Sequence, residues 1–356
     1  MTASLSVPTA ERIEAGRLHE FGLQVFEKCG MPPADAQILV DHLVWADLRG
    51  ISGLGANKIP EYVARLNAGV ISATGGALRI AFQRGGFLVV DAEDSFGHVV
   101  GYRVMQQVIA TARSTRVSAA LIRNTTSTGA LGYFASMAVP KQMIGLAIKN
   151  RPSLQPSSGP TEKVEGNQEF AVASPAGDKP PLLLDMATSA ITLARIHDVE
   201  QRGELLPEGV AMTADGRPTT DPVEALDGML LPMSGDRGFG LAPLWKVLTG
   251  VLSANAMYST AVTSTADTSR PQPVSMLLLV VDPTVSMPYE TFAARVDDLI
   301  SRIHDSHWIG RTEPFRLHDE RSAGSASMRR AASIQLPATL RETLAAIAAD
   351  LGVAPL

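Results

Sequence analysis

The hydrophobic positions of the first 70 residues recur with the period of an α-helix. In the first stretch, three apolar residues stand at i, i+3 and i+7 before Gly30 and two prolines end the run. These three residues are Leu18, Phe21 and Val25. A second helix is predicted through His42, closing near Gly50, and a third through Tyr62. The chain is therefore expected to begin with a helical part.

The pattern changes after Gly75-Gly76, where short apolar runs alternate with longer helical stretches. Short apolar runs between turn residues are typical of strands, and their alternation with helices is typical of an α/β arrangement. The predicted strands are Phe87–Asp91, Val117–Ile122, Met143–Ile148, Phe170–Ser174, Leu182–Asp185 and Met276–Asp282. The predicted helices are Val99–Arg113, Leu131–Val139, Ser189–Arg202, Leu241–Met257 and Phe292–Ile303. Residues 259–273 are rich in serine and threonine and are predicted to form a mobile loop.

The composition narrows the class of protein. Hydrophobic residues make up 45% of the 356 residues and charged residues 19%, which indicates a packed globular chain. The net charge of −5 offers no basic surface for nucleic acid, and the single cysteine, Cys29, forms neither an internal disulfide nor a zinc cluster. No signal-peptide pattern and no membrane-length apolar run is found. We therefore expect a soluble, cytoplasmic protein with neither a nucleic-acid nor a membrane partner.

Local motifs alone do not name a reaction. No glycine-rich dinucleotide fingerprint follows an early strand, and the sequence has no P-loop or nucleophile elbow. Four segments nevertheless place glycine or hydroxyl residues beside a predicted helix end, where backbone N–H groups can hold an anion. These segments are Asp47–Gly55, Ile122–Gly129, Asp185–Ser189 and Leu231–Leu241. Ordinary helix capping explains any one of them taken alone.

Taken in order, the four segments resemble the malate/L-lactate dehydrogenase type 2 family, which includes ureidoglycolate, sulfolactate and diketogulonate oxidoreductases and reductases of cyclic imino acids. The specific parts are Asp-Met-Ala-Thr-Ser at 185–189, Gly-Phe-Gly-Leu at 238–241 and the stretch Pro207–Pro222 between them. The likeness runs from about Arg17 to Val353. The resemblance implies an α/β fold that is not a Rossmann fold, a nicotinamide cofactor (NAD or NADP), a small carboxylate substrate, and a homodimer with its site near the subunit interface.

The resemblance also implies a division of the chain. Residues 1–74 are expected to form a helical N-terminal part that packs with residues 310–356. Residues 75–285 are expected to form the central cofactor-binding domain. Residues 286–309 are expected to form a helix that leads to the C-terminal segment.

The chain departs from the family at the positions that move protons. The family's Ser-His pair aligns with Gly53-Leu54, and a leucine cannot act as an acid or base. The second family histidine aligns with Ser127, whose hydroxyl does not titrate near neutral pH. The carboxylate-binding arginine aligns with Lys58, which keeps the charge without the bidentate fork. The proton donor is therefore expected to differ from the family's.

Candidate site residues follow from this alignment. The candidates for catalysis are Lys149, Tyr62 and Ser127, and those for substrate binding are Lys58, Leu54 and Asn57. The cofactor-binding candidates are Thr128, Gly129, Asp185, Thr188, Ser189, Arg195, Gly235, Asp236, Arg237 and Gly238. No metal site is expected. Each candidate also has a plain structural explanation: Lys149 as an exposed strand-end lysine, Ser127 as a helix cap, Tyr62 as a packing residue, and the arginines as members of surface ion pairs.

Three functional hypotheses remain open. The first is a nicotinamide-dependent oxidoreductase that acts on a 2-oxo acid, a 2-hydroxy acid or a cyclic imino acid with an altered proton donor. The second is the same scaffold used for lyase or hydrolase chemistry, and the third is a catalytically silent homologue that binds a ligand. The loss of two histidines favours the second and third, whereas a cyclic imine suits the first, because a protonated iminium needs no strong acid from the protein.

Overall fold

The structure is a computed structural model that describes residues 11–74, 78–150, 153–156, 163–166, 168–254, 274–306 and 333–356. The predicted mobile loop 259–273 and residues 310–332 of the expected C-terminal segment lie outside the described residues. The N-terminal part of the described chain contains three helices: α1 at Ala15–Lys28, α2 at Pro33–Leu48 and α3 at Ile59–Asn67. Two short 3-10 turns, Ser52–Leu54 and Ala56–Lys58, connect α2 to α3.

The centre of the molecule is a seven-stranded mixed sheet. The strands are β2 at Arg79–Arg84, β3 at Phe87–Asp91, β4 at Val117–Thr125, β5 at Ile144–Lys149, β8 at Glu169–Ser174, β9 at Leu182–Ala187 and β13 at Val274–Val281. The strand order is β2-β3-β4-β13-β5-β8-β9, and of these neighbouring pairs only β3 and β4 run parallel. The central position of β13 explains its apolar run Met276–Val281, because both faces of the strand are covered.

Two helices cover one face of this sheet and form its core. Helix α4 at Gly97–Thr115 and the short α5 at Leu131–Ser136 pack their apolar residues against β3, β4, β5 and β13. The tight turn between β4 and α5 contains Gly129, whose φ of +64° lies in the left-handed region. This turn brings the hydroxyl-rich segment 125–130 to the boundary between the sheet and the helical part.

A smaller subdomain follows β9 in the sequence. Its elements are α6 at Leu193–Gln201, β10 at Ala211–Met212, β11 at Pro218–Thr219, α7 at Pro222–Asp227 and β12 at Met229–Leu230. Helix α8 at Asp236–Lys246 comes next and changes into a π-helical turn at Val247–Val251. A separate hairpin is formed by β6 at Ser153–Pro156 and β7 at Lys163–Gly166.

The N-terminal helices and the C-terminal end of the chain share one hydrophobic core. Strand β1 at Glu11–Ile13 pairs with β14 at Ile334–Leu336, and α10 at Ala338–Leu351 packs with α1 and α3. Helix α9 at Tyr289–Asp305 lies between the sheet and this segment in the sequence. The structure thereby confirms the expected fold class: an α/β protein in which a helical N-terminal part packs with the C-terminus beside a central domain. In the part of the chain that the structure describes, no helix combines the length and apolar character needed to cross a bilayer.

Some elements differ from their predicted limits. Strand β2 was not predicted, because all six of its residues are exposed and the strand shows no buried face. The predicted helix Leu131–Val139 ends at Ser136 and gives way to a 3-10 turn. The predicted apolar helix Leu241–Met257 begins five residues earlier, at Asp236, and its regular α-helical part ends at Lys246, a few residues after Pro243.

Candidate active site

Tyr62 and Ser127 meet at the boundary between the two parts of the molecule. Helix α3 supplies Tyr62, which is fully buried, and the turn after β4 supplies Ser127, which is half-buried. The Tyr62 Oη and Ser127 Oγ atoms are 2.8 Å apart, which is a normal distance for a hydrogen bond between hydroxyls. The two residues lie 65 positions apart in the chain, so folding alone creates the pair.

The connection between α2 and α3 carries the three substrate-binding candidates. Leu54, Asn57 and Lys58 are all half-buried. The Asn57 side-chain amide donates to the Ser52 carbonyl at 3.1 Å, so Asn57 stabilises the turn. Lys58 Nζ donates to Glu61 at 2.7 Å, and its side chain remains 30% exposed.

The predicted Lys149 lies behind the turn that carries Ser127. Its Nζ atom donates to the Gly129 carbonyl at 3.1 Å and forms an ion pair with Glu169 at 2.6 Å. Lys149 and Glu169 are direct neighbours across the antiparallel strands β5 and β8. Because the lysine side chain is only 3% exposed, it is a buried group held on the interior side of the turn and not an exposed strand-end lysine.

Two histidine rings lie against the same turn. The alignment did not indicate either of them as a replacement for a family histidine. His42 of α2 and His98 of α4 are both fully buried, and their ring centroids are 4.7 Å apart. Burial, followed by the positive charge of Lys149, lowers the pKa of His98 to about 3. Burial and the neighbouring His98 also hold the pKa of His42 well below its usual range. Both rings are therefore neutral near pH 7, and neither is an imidazolium acid.

Asp185 lies at the end of the same cluster. It is half-buried, and its carboxylate accepts the backbone N–H of Gly132 in the first turn of α5 at 2.7 Å. Burial and the nearby Glu169 raise the pKa of Asp185 to about 6, although the Gly132 N–H and Lys149 oppose that shift. The structure thus places this cofactor-binding candidate at the N-terminus of α5, beside Lys149.

A second cluster at the end of β9 contains the cofactor candidates Thr188, Ser189, Gly235, Asp236 and Gly238. The Thr188 N–H donates to the Gln168 carbonyl at 2.8 Å, and the Met233 N–H donates to the Thr188 carbonyl at 2.9 Å. Through these contacts, Thr188 and Ser189 lie beside the loop that enters α8. Gly235, with a φ of +63°, precedes the first residue of this helix, Asp236, and no side chain caps the helix N-terminus.

Two features of this cluster fit a nicotinamide dinucleotide. The uncapped N-terminus of α8, at Asp236–Gly238, offers backbone N–H groups and a positive dipole end to a pyrophosphate. The Gln168 amide is fully buried, and neither its nitrogen nor its oxygen has a hydrogen-bond partner within the described residues. The Thr128 hydroxyl shows the same feature. Unpartnered buried polar groups are costly, so their presence indicates a polar ligand.

Two predicted residues project into solvent. Arg195 is exposed and forms an ion pair with Asp198. A surface ion pair therefore accounts for this residue. Arg237 is exposed on the first turn of α8. In the described part of the chain, no group of three or more histidine, cysteine or acidic residues has the arrangement of a metal site.

The structure defines an α/β protein: a mixed seven-stranded sheet with a helical N-terminal part. Hydroxyl, amine and carboxylate groups gather where β4, β5 and β9 end and β8 begins. Comparison with known proteins makes the assignment specific. The sequence matches the malate/L-lactate dehydrogenase family over residues 13–345. The chain belongs to this family of oxidoreductases.

Individual relatives agree with this assignment. The chain is 31% identical to the malate dehydrogenase of Pyrococcus horikoshii over 351 residues, which cover 96% of each chain. The solved structure of the sulfolactate dehydrogenase of Methanocaldococcus jannaschii has a TM-score of 0.88 at 29% identity, covering 96% of this chain and 98% of that one. The delta1-piperideine-2-carboxylate reductase of Pseudomonas syringae has a TM-score of 0.83 at 23% identity, covering 95% and 99% of the two chains, and shows the shared fold.

Proposed function

We propose that this protein is an NAD- or NADP-dependent oxidoreductase that acts on a small 2-oxo acid, 2-hydroxy acid or cyclic imino acid. The Tyr62–Ser127 hydroxyl pair would act in place of the family histidines. The observation that carries the proposal is the 2.8 Å contact between these hydroxyls, formed at the position of one lost histidine. The names of the relatives support a small hydroxy acid as the substrate class.

A bound nicotinamide would supply or accept the hydride. For reduction of a carbonyl, a proton must reach the substrate oxygen as the hydride reaches the carbon. Ser127 is half-buried and can donate its proton to that oxygen while it receives the proton of Tyr62 through their hydrogen bond. The step leaves Tyr62 as a phenolate, which regains a proton from water by way of Ser127 after the product leaves. Lys149 is a weaker candidate for the donor, because the Gly129 carbonyl and Glu169 already engage its ammonium group.

Lys58 would bind the substrate carboxylate. Its present partner, Glu61, is also paired with the buried Arg65 at 3.1 Å, so Glu61 keeps a counter-charge when Lys58 turns to a ligand. A half-exposed pair such as Lys58–Glu61 contributes less than about 1 kcal/mol, which a substrate carboxylate can replace. We also propose the expected homodimer and a cytoplasmic location.

The first experiment is a fluorescence titration of the purified protein with NADH and with NADPH. Binding of at least one cofactor is expected, followed by its oxidation with some member of a panel of 2-oxo acids and cyclic imines. Absence of binding to both cofactors would refute the proposal. Binding without turnover across the panel would favour the silent homologue or the non-redox enzyme instead.

The variant Tyr62→Phe tests the proton donor. Loss of a positioned acid typically lowers kcat by about 10²- to 10⁴-fold, and we expect a loss in this range for 2-oxo acid reduction. A protonated cyclic iminium already carries its proton, so its reduction should fall much less. Tyr289→Phe removes a comparable hydroxyl from α9 and serves as the control. Equal kcat values for wild type and Tyr62→Phe with a 2-oxo acid would rule out the hydroxyl pair as donor.

A further inference from the structure

His98 packs against Tyr62 and against the turn that carries Ser127. Its ring lies edge-on to the ring of Tyr62, with the centroids 5.4 Å apart at 70°. A Cβ atom added to Gly129 would come within 2.5 Å of His98 Nε2, so the imidazole also lies directly against the turn that carries Ser127. Tyr62 belongs to the helical part and Ser127 to the sheet domain. His98 therefore packs against both elements that must meet.

His98 is buried and neutral, so it carries no imidazolium proton to donate. The side chain is fully buried, and neither ring nitrogen makes a hydrogen bond of standard geometry within the described residues. The backbone of Ser127 lies close enough to oppose the lowering of the pKa of His98 without reversing it. The contacts that His98 makes with Tyr62 and with the Gly129 turn are packing contacts, so His98 can act on the reaction through the positions of these neighbours.

We propose that His98 is the positioning residue of the Tyr62–Ser127 pair, because its imidazole packs against the phenol ring on one side and against Gly129 on the other. This proposal rests on the proposed function of that pair. His42 provides a natural contrast. His42 is equally buried, and its Nε2 atom would lie 2.6 Å from a Cβ atom added to Gly129. Its ring, however, stacks on the ring of Tyr133, with the centroids 4.3 Å apart.

The kinetic test is a double-mutant cycle of His98→Ala with Tyr62→Phe, read as kcat for 2-oxo acid reduction. Misplacement by about 1 Å can cost up to about 100-fold in rate, so we expect His98→Ala to lower kcat by roughly 10- to 100-fold while the KM for the cofactor changes little. In the Tyr62→Phe background, the same change should have almost no further effect. Losses that multiply in the double variant would overturn the proposal.

Conservative and matched variants separate positioning from folding. His98→Gln keeps a polar side chain that reaches toward Gly129 and should recover part of the lost kcat. It also replaces His98→Ala if that variant does not fold. His42→Gln removes an equally buried imidazole and should keep kcat within about threefold of wild type. A kcat loss in His42→Gln equal to that in His98→Gln would contradict the specific role of His98.

A structural measurement makes the proposal independent of turnover. In a crystal structure of His98→Ala, or of His98→Gln, we expect the Tyr62 Oη to Ser127 Oγ distance to exceed about 3.5 Å, beyond hydrogen-bond range. An unchanged distance of 2.8 Å would overturn the positioning role even if no substrate has been found. Lack of turnover by the wild-type protein, in contrast, would count against the proposed function alone.

Discussion

Replacement of Lys149 by methionine should destabilise the protein strongly, because it removes the ammonium partner of the largely buried Glu169 carboxylate. The lysine side chain is 3% exposed and that of Glu169 is 17% exposed, and their charged atoms are 2.6 Å apart. Breaking a buried ion pair by removing one partner typically costs about 3–5 kcal/mol. The Gly129 carbonyl also loses the hydrogen bond from Nζ. We therefore expect Lys149→Met to lower the free energy of unfolding by about 3–5 kcal/mol.

The assay is urea denaturation followed by far-UV circular dichroism. The double variant Lys149→Met/Glu169→Gln removes both charges and should recover about 2 kcal/mol relative to Lys149→Met, since no ionised group is then left unpaired. Arg302→Met is the control: it breaks the Arg302–Asp298 pair at 2.9 Å, whose side chains are 77% and 59% exposed. Its loss should stay below about 1 kcal/mol.

The same variants decide what Lys149 does in the reaction. If the lysine only holds the turn, the folded double variant should keep kcat within about tenfold of wild type, since a lost acid typically costs 10²-fold or more. A loss of kcat above 10²-fold together with an unchanged free energy of unfolding would refute this reasoning and identify Lys149 as the donor.

Two further predictions concern the same region. Gly129→Ala should lower the free energy of unfolding by about 3 kcal/mol or more. The added Cβ would lie 2.5–2.6 Å from the Nε2 atoms of His98 and His42, and the φ of this position is +64°. A decrease in Tm of less than about 2 °C would contradict this prediction. Asp185→Asn should remove a pH dependence of stability. Because burial raises the pKa of Asp185 to about 6, the protonated aspartic acid stabilises the folded protein below about pH 4, and this stabilisation is lost as the pH rises through about 6. The free energy of unfolding of Asp185→Asn should therefore rise by up to about 3 kcal/mol relative to wild type between pH 4 and pH 7. A difference in unfolding free energy that stays constant over this range would contradict the shift.

The sequence predicts the elements whose burial is periodic. Helices α1 and α3 follow from apolar residues on one face, whereas α2 is apolar and buried on nearly all sides. Strand β13 follows from the apolar run Met276–Val281, which a central, doubly covered strand accommodates. Strand β2 could not be found in this way, since it lies at the edge of the sheet with all its residues exposed. Hydrogen bonding to β3 defines this strand, and its only hydrophobic signal is the short alternation of Ile80 and Phe82, both of which are exposed.

The site is predictable only where residues match a family motif. Tyr62, Ser127 and Lys149 follow from the alignment, but the 2.8 Å hydroxyl contact and the Lys149–Glu169 ion pair depend on long-range folding. His42 is the residue that sequence reasoning missed most clearly. Its signal is a polar residue at a core-facing position of an apolar helix, where burial without a hydrogen bond is costly.

Transfer of deuterium from cofactor to product tests the central claim most directly. The protein would be incubated with NADH or NADPH deuterated at C4, presented in both stereochemical forms, and with the 2-oxo acids and cyclic imines of the panel. Mass spectrometry would then follow the products. The account predicts a product of the corresponding hydroxy or amino acid type that carries one deuterium on carbon. A bound cofactor that transfers no label to any substrate, or a product that forms without label from both deuterated forms, would contradict it.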